Sequence, residues 1–173
     1  MWLKIFGLLI VVTACTGLGA DAAGRLKKRL RLLEELRRML THLKGEILYA
    51  NLPLAEAFER TGRRNPGQAG ELFIRVAEEM RKETGESFGE IWRAEAEKFT
   101  KHCILDKKEK EQLNRFGDHL GYLNRDMQEK TILFYLEDLE QSIQGLRGEE
   151  PEKCRLFMSL GVMSGLFLAV VLA

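Results

Sequence analysis

The sequence predicts an all-α protein: two transmembrane helices flank a cytoplasmic bundle of about six helices, and two long antiparallel helices of the bundle continue from the spans. Three observations lead to this fold class. Both ends of the 173-residue chain are apolar and uncharged, apolar residues recur at steps of three and four between them, and no alternating run favours a strand. The charged interior lacks the Pro, Ser or Gly bias of disorder and has the length of one soluble domain.

The first element is the uncharged segment IFGLLIVVTACTGLGA from Ile5 to Ala20, which we interpret as a transmembrane helix within residues 1–23. A second interpretation stays open. VTAC at Val12 to Cys15 follows a basic residue and a short apolar run, as in the signal of a bacterial lipoprotein. Cys15 would then carry lipid, and the protein would be an exported lipoprotein or a tail-anchored envelope factor. Five basic residues follow closely, whereas lipoprotein linkers are usually small and polar.

The predicted cytoplasmic domain, residues 24–152, begins and ends with a long amphipathic helix. In both helices the apolar residues are separated by three or four positions, which places them on one face. We expect the two faces to pack against each other as antiparallel helices, knobs into holes. The stripes consist of Leu26, Leu30, Leu33, Leu36, Leu40, Leu43 and Ile47 in the first helix and of Ile132, Leu136, Leu139, Ile143 and Leu146 in the last.

Shorter helices are predicted between the two long ones. Pro53 suits the first turn of a helix that runs to about Thr61, because its missing N–H donor is not needed there. The segment GRRNPG from Gly62 to Gly67 has the composition of a turn. A third helix is then expected to continue until Gly85, with Leu72, Phe73, Val76, Ala77 and Met80 on its apolar face.

Two more helix starts carry capping signals. Ser87 with Glu90 three residues later has the spacing of a capping box, and Asp106 is a plausible N-cap for the following helix. Trp92 falls in an apolar stripe, where a tryptophan belongs to a core far more often than to a binding site. The segment LGYLN then interrupts the pattern before the last long helix.

The chain ends with eighteen uncharged residues, LFMSLGVMSGLFLAVVLA, from Leu156 to Ala173. As a helix they would extend roughly 27 Å, close to the roughly 30 Å hydrocarbon core of a bilayer. We therefore predict a second transmembrane helix within residues 153–173, with a terminal core helix as the alternative.

The distribution of basic residues predicts the topology. Lys and Arg near membrane spans tend to stay in the cytoplasm, so a two-pass protein of the cell membrane with a cytoplasmic domain is expected. The formal net charge of +1 favours neither nucleic acid nor an acidic substrate, and the basic cluster is better explained by contact with anionic lipid. The basic residues nearest the spans are Arg25, Lys27, Lys28, Arg29 and Arg31 after the first and Lys153 and Arg155 before the second.

No catalytic, metal or cofactor site is recognisable. The three cysteines form no C-x-x-C pair, and His102 beside Cys103 lacks a third ligand or an orienting acid. The glycines of GRRNPGQAG lack the Lys-Ser/Thr pair of a P-loop. The pattern favours a protein that binds other proteins over an enzyme, with no cofactor and no small-molecule substrate.

Four groups of residues form local signatures in order along nearly the whole chain: Ile47, Tyr49, Pro53, Leu54, Glu56 and Ala57; Gly85, Ser87, Glu90 and Trp92; Phe116, Gly117, Leu120, Gly121 and Gln128; and Arg155, Leu160, Gly161 and Gly165. In this order they resemble the stage III sporulation protein AB family of endospore-forming bacteria. One departure concerns the turn before the last long helix, where Asn124 stands in place of the family's usual Asp; Asn can still cap a helix there.

The resemblance implies a function in sporulation. Members belong to a membrane assembly that bridges the mother cell and the engulfed forespore, so the implied location is the mother cell membrane facing the forespore and the implied partners are other stage III sporulation membrane proteins. The family's soluble domain is similar to the inner-membrane platform protein of type II secretion and type IV pilus systems. By that analogy, a cytoplasmic secretion-type ATPase is a further implied partner.

Two helix-end regions are the predicted partner-binding positions, because helix ends can present polar groups to a partner. The first is the corner formed by Pro53, Leu54 and Glu56. The second is the turn with Gly121, Asn124 and Gln128. Simple capping and tight packing are the alternative explanation for these residues.

Overall fold

The computed structural model describes residues 2–82, 85–121 and 125–172; within these ranges, many side chains near the two ends and a few elsewhere are not described. All regular structure in this part of the chain is helical, which confirms the predicted all-α class. The helices are α1 (Trp2–Leu48), α2 (Leu54–Arg64), α3 (Gln68–Arg81), α4 (Phe88–His102), α5 (Lys107–Leu120) and α6 (Arg125–Leu172).

Each terminal apolar segment forms one uninterrupted helix with the amphipathic segment beside it, as predicted for two long helices that continue from the apolar ends. Nothing between Ala20 and Arg25 stops α1. A glycine such as Gly24 lowers helix stability by only about 1 kcal/mol relative to alanine. Among the described residues, no helix reaches the combination of length and apolarity that crossing a membrane demands. The two predicted spans and their boundaries stay predictions.

The chain divides into two compact units, residues 31–143 and residues 1–30 with 144–173. In the first unit, α1 and α6 run antiparallel, as predicted from the two leucine stripes. Arg37 pairs with Glu140, whereas Lys44, further along α1, lies 3.9 Å from Glu129, which is earlier in α6. The stripe residues buried in this unit are Leu33, Leu36, Leu40, Leu43, Ile47, Ile132, Leu139 and Ile143.

Trp92 is the centre of an aromatic core to which every helix from α2 to α6 contributes. The indole is fully buried, and its Nε1 donates a hydrogen bond of 2.8 Å to the carbonyl oxygen of Leu113 in α5. This bond satisfies the polar atom of a large side chain that otherwise contributes by burial. The rings around or next to the indole are Phe58, Phe73, Phe88, Phe116 and Tyr135.

Glycines set how closely neighbouring helices approach. A Cβ on Gly117 of α5 would lie 2.0 Å from Cδ1 of Trp92, and one on Gly121 would lie 2.5 Å from Cβ of Phe88. Only glycine leaves room for these rings. The signature residues Gly117 and Gly121 therefore position α5 against α4.

The helix ends confirm some predictions and correct others. Both capping boxes are present, Ser87 with Glu90 at α4 and Asp106 with Glu109 at α5. The helix after Pro53 begins one residue later than predicted, with Pro53 as its N-cap, and it continues to Arg64 instead of about Thr61.

The turn predicted for Gly62 to Gly67 is therefore shorter, because Gly62 is helical. A Cβ at Gly62 would meet the carbonyl oxygen of Gly70 at 2.7 Å. The glycine thus serves close packing of α2 on α3 and does not mark a chain reversal. The tight turn itself lies at Asn65 to Gly67, where Gly67 has φ 145°.

Candidate docking surfaces

The corner between α1 and α2 has a defined backbone. The amide of Leu52 donates to the carbonyl oxygen of Glu46 at 3.2 Å, which closes a seven-residue turn that contains one left-handed residue. That residue is Asn51, with φ 60°. Asn tolerates this conformation better than most residues, so the chain reverses here without glycine.

A buried carboxylate ties the corner to α2. Glu46 of α1 is 7% exposed and accepts from Arg60 at 3.3 Å and from Arg64 at 2.8 Å. Both arginines belong to α2 and are about half exposed. A largely buried carboxylate needs such partners, and this one fixes the angle at which the corner is presented.

The corner exposes three of its signature residues. Tyr49 is 85% exposed, Pro53 and Glu56 are also exposed, and Leu54 is half-buried. By contrast, the signature residue Ala57 is buried and packs in the core. The predicted residues Pro53, Leu54 and Glu56 thus lie together at the start of α2, where Pro53 is the N-cap, and partner binding there stays a prediction.

The second predicted region is only partly described. Gly121 is the exposed C-cap of α5, and its lack of a Cβ makes room for Phe88. The side chain of Gln128 donates to the carbonyl oxygen of Leu120 at 3.4 Å, which caps the end of α5. Asn124 lies outside the described residues. For Gly121 and Gln128 the structure supplies the packing and capping explanation, and partner binding there stays a prediction.

A groove between α5 and α6 was not predicted from the sequence. Its volume is about 450 Å³, and Phe134 of α6, 69% exposed, stands at its edge. Leu133 and Met127 of α6 are also exposed, by 43% and 45%. The residues that line the groove are Lys108, Glu111, Gln112, Arg115, Phe116, Thr131, Phe134, Tyr135 and Asp138.

The lining of this groove includes a buried acceptor and a buried phenol. Oε1 of Gln112 is buried and has no partner among the described residues. Burial raises the pKa of Tyr135 far above its ordinary value, and the charges of Glu109 and Asp138 act in the same direction. The groove therefore combines three aromatic side chains with a buried, unpartnered acceptor beside them.

Elsewhere on the 31–143 unit, many charges are neutralised within the chain. Glu59 pairs with Arg63 and Arg81, which lowers the pKa of the Glu59 carboxyl. Buried Glu95 pairs with Arg75 and Lys98. Two bases at the α5–α6 groove are not neutralised in this way, since Lys108 and Arg115 form no ion pair among the described residues.

The residues considered for chemistry are not assembled into a site. His102 is exposed and Cys103 half-buried, and burial raises the pKa of the Cys103 thiol, the opposite of what a nucleophilic thiolate requires. No group of three or more His, Cys, Asp or Glu in the described part of the chain could hold a metal ion. Cys15 lies within α1, its side chain is not described, and lipidation there stays a prediction.

Comparison with known proteins decides the family. The family model described as stage III sporulation protein AB matches residues 4–173. The chain belongs to this family. Stage III sporulation protein AB of Bacillus subtilis (strain 168) is 29% identical over 170 residues, 98% of this chain and 99% of that protein. A solved structure of stage III sporulation protein AB (SpoIIIAB) has a TM-score of 0.66 and 28% identity, covering 72% of this chain and 98% of that one.

Family membership confirms the resemblance drawn from the local signatures. The structure also assigns different structural roles to the residues of those signatures. Trp92, Phe116 and Gly117 form the core, Ser87 and Glu90 form a cap, and the corner signature places exposed Tyr49, Pro53 and Glu56 beside buried Ala57. The groove was missed because Phe134 lies off the apolar stripe of α6, where a single aromatic residue gives no periodic signal.

Proposed function

We propose that this chain is a non-enzymatic membrane platform component of the assembly between mother cell and forespore, and that its corner between α1 and α2 docks a cytoplasmic secretion-type ATPase. Family membership supports the sporulation role. The exposed corner with Tyr49, Pro53 and Glu56 is the observation on which the docking proposal rests. Other stage III sporulation membrane proteins complete the proposed set of partners.

Membrane insertion of both ends is part of the proposal. Support comes from the eighteen uncharged residues at the C-terminus and from the exposure of large apolar side chains among them. A helix in water would bury such residues, whereas lipid favours their exposure. The exposed side chains on this part of α6 are Leu156, Leu160, Met163 and Phe167, at successive steps of four, three and four residues.

The proposed cytoplasmic placement rests on the basic residues that follow the first apolar segment. Lys27, Lys28 and Arg31 are exposed on α1, and Arg25 pairs with Asp21 one turn before it. Exposed cations beside a span hold that end on the cytoplasmic side and attract anionic lipid headgroups. A cytoplasmic domain is the one that an ATPase can reach.

The corner suits a partner because it combines exposure with rigidity. Tyr49 offers a large ring with few rotatable bonds, and aromatic anchors of this kind concentrate binding energy in interfaces. Pro53 fixes the backbone beside it, and Glu56 adds a charge. Because Glu46 holds the corner to α2, little conformational entropy would be lost on binding.

The direct test is binding of the full chain, reconstituted in lipid nanodiscs, to the purified ATPase of the same organism. We expect wild-type binding and at least tenfold weaker binding after Tyr49→Ala combined with Glu56→Lys. A matched control is Glu78→Lys on α3, also an exposed acid, which should leave the affinity unchanged. No binding by the wild type would reject the docking function, and equal binding by both variants would reject the corner as its site.

A further inference from the structure

We infer that the α5–α6 face is an interface with a second copy of this chain, arranged so that α5 of each copy packs on α6 of the other. This interface is separate from the α1–α2 corner and does not depend on the ATPase. Three observations carry it: the exposed apolar residues at the groove, the opposite charges of its two rims, and the directions of the two helices.

The apolar observation concerns Phe134, Leu133 and Met127. Their exposed fractions of 69%, 43% and 45% place three large apolar side chains on one helix, at or next to a groove that contains the aromatic rings of Phe116 and Tyr135. A cluster of this kind on a soluble unit marks an interaction site more often than chance exposure does. The groove of about 450 Å³ gives the partner's phenylalanine a place to insert.

The charges favour a second copy over a strongly acidic or basic partner. The α5 rim has two bases and one acid, Lys108, Arg115 and Glu111, a net charge of +1. On the α6 side, the acid Asp138 lines the groove, and the base Lys130 and the acid Glu137 are sequence neighbours of lining residues, so that this rim has a net charge of −1. None of the six forms an ion pair in the described part of the chain. A surface with one positive and one negative rim complements itself when it is turned by 180°.

The helix directions fix the symmetry axis. Phe116 contacts Tyr135, and Leu120 accepts from Gln128, so α5 and α6 are antiparallel neighbours. Rotation about an axis parallel to the groove places α5 of one copy over α6 of the other. Both copies of α6 then run in the same direction, which is compatible with the membrane insertion proposed above.

This arrangement brings the acids of one copy to the bases of the other. Along the direction of the helix axes, Arg115 lies close to the height of Tyr135, because its neighbour Phe116 contacts Tyr135. Lys108 is seven residues from Arg115, about 10 Å further along α5. Glu137 and Asp138 therefore fall between the levels of the partner copy's two bases. Phe134 falls close to the height of Arg115 of the other copy, so that the guanidinium of this arginine can lie against the phenylalanine ring.

The first test is cysteine cross-linking of the full chain in detergent, in a background with the three native cysteines replaced by alanine. Thr131→Cys and Asp138→Cys should each give a cross-linked dimer with a short bismaleimide, because equal positions face each other along an axis parallel to the groove. Glu78→Cys on α3 is the exposed control and should give none. A molar mass of one chain by light scattering, or cross-links no stronger than this control, would overturn the proposal.

The second test exchanges the charges. Lys108→Glu with Arg115→Glu should weaken dimerisation at least tenfold in sedimentation experiments, and adding Glu137→Lys and Asp138→Lys should restore it. Helical content measured by circular dichroism controls for folding. Unchanged dimerisation of the first variant, or no recovery in the second, would overturn the charge-matched interface. A purified monomer that cross-links in sporulating cells only to a different protein would also overturn it.

Discussion

At the scale of single residues, glycine does as much as the large side chains to define this core. A Cβ on Gly117 would lie 2.0 Å from the indole of Trp92, and one on Gly121 would lie 2.5 Å from Cβ of Phe88, distances that no Cβ could occupy. The sequence made Trp92 predictable as a core residue, since it lies in an apolar stripe. It could not show which glycines face that ring, because the contact joins residues of different helices.

The first prediction is that Gly117→Ala destabilises the protein by about 1–3 kcal/mol. The added methyl would lie 2.0 Å from Cδ1 of Trp92, and a buried indole has no free direction in which to move. This cost exceeds the roughly 1 kcal/mol that alanine gains in helix propensity. The free energy of unfolding in urea measures it.

Gly45→Ala is the matched control for this substitution. Gly45 is also helical, but a Cβ there would meet nothing within 4 Å. Its substitution should leave stability unchanged or raise it by up to about 1 kcal/mol. Equal effects of the two substitutions would contradict the role assigned to Gly117.

The second prediction concerns Glu35, which lies against the turn at Gly67. Oε1 of Glu35 is buried without a hydrogen-bond partner, and burial raises the pKa of the carboxyl, with Arg38 opposing the shift. The folded state therefore holds this proton more tightly than the unfolded state does. The contribution of protonated Glu35 to the free energy of unfolding is fully present below about pH 4, and it is lost as the pH rises through the raised pKa of this carboxyl.

Glu35→Gln should accordingly be more stable than the wild type at pH 7.5, and the difference should disappear towards pH 4. Urea unfolding at several pH values gives the comparison. Glu78→Gln, at an exposed position, is the control. A pH-independent difference for Glu35→Gln would show that ionisation is not the cause.

At the scale of helices, local signals predicted starts better than ends. Ser87 is predictable as a cap from its spacing to Glu90, because a capping box lies within four residues of sequence, and Asp106 is predictable from its residue type. The end of α2 was misjudged because Gly62 and Pro66 look like turn residues, whereas contact of Gly62 with α3 keeps it helical. Such contacts are tertiary and leave no local pattern.

The third prediction tests the cap of α4. Ser87→Ala should lower the free energy of unfolding by about 1 kcal/mol, since the hydroxyl accepts from the amide of Glu90 and the Glu90 carboxylate accepts from the amide of Ser87. Thr41→Ala on α1 is the control, because its hydroxyl only bonds to a carbonyl of its own helix. A loss for Thr41→Ala as large as that for Ser87→Ala would argue against a specific contribution from the cap.

At the scale of the whole molecule, the helical class and the antiparallel long helices were predictable from periodicity. The two surfaces proposed to bind partners differ in how well they can be predicted from the sequence. The corner was found through its proline and its signature residues, whereas the α5–α6 groove depends on how two helices meet. The predicted domain boundaries at residues 24 and 152 were drawn from charge alone and stay predictions.

The central claim is that the 31–143 unit faces the cytoplasm between two membrane-inserted ends. Topology is the most direct measurement, with reporters placed in the exposed turn at Gly85 and Glu86, where Gly85 has φ 82° and no helix is interrupted. We predict activity for a reporter that works only inside the cytoplasm and none for one that works only outside. Activity of the outside reporter would contradict the account, because an ATPase could not reach the corner between α1 and α2.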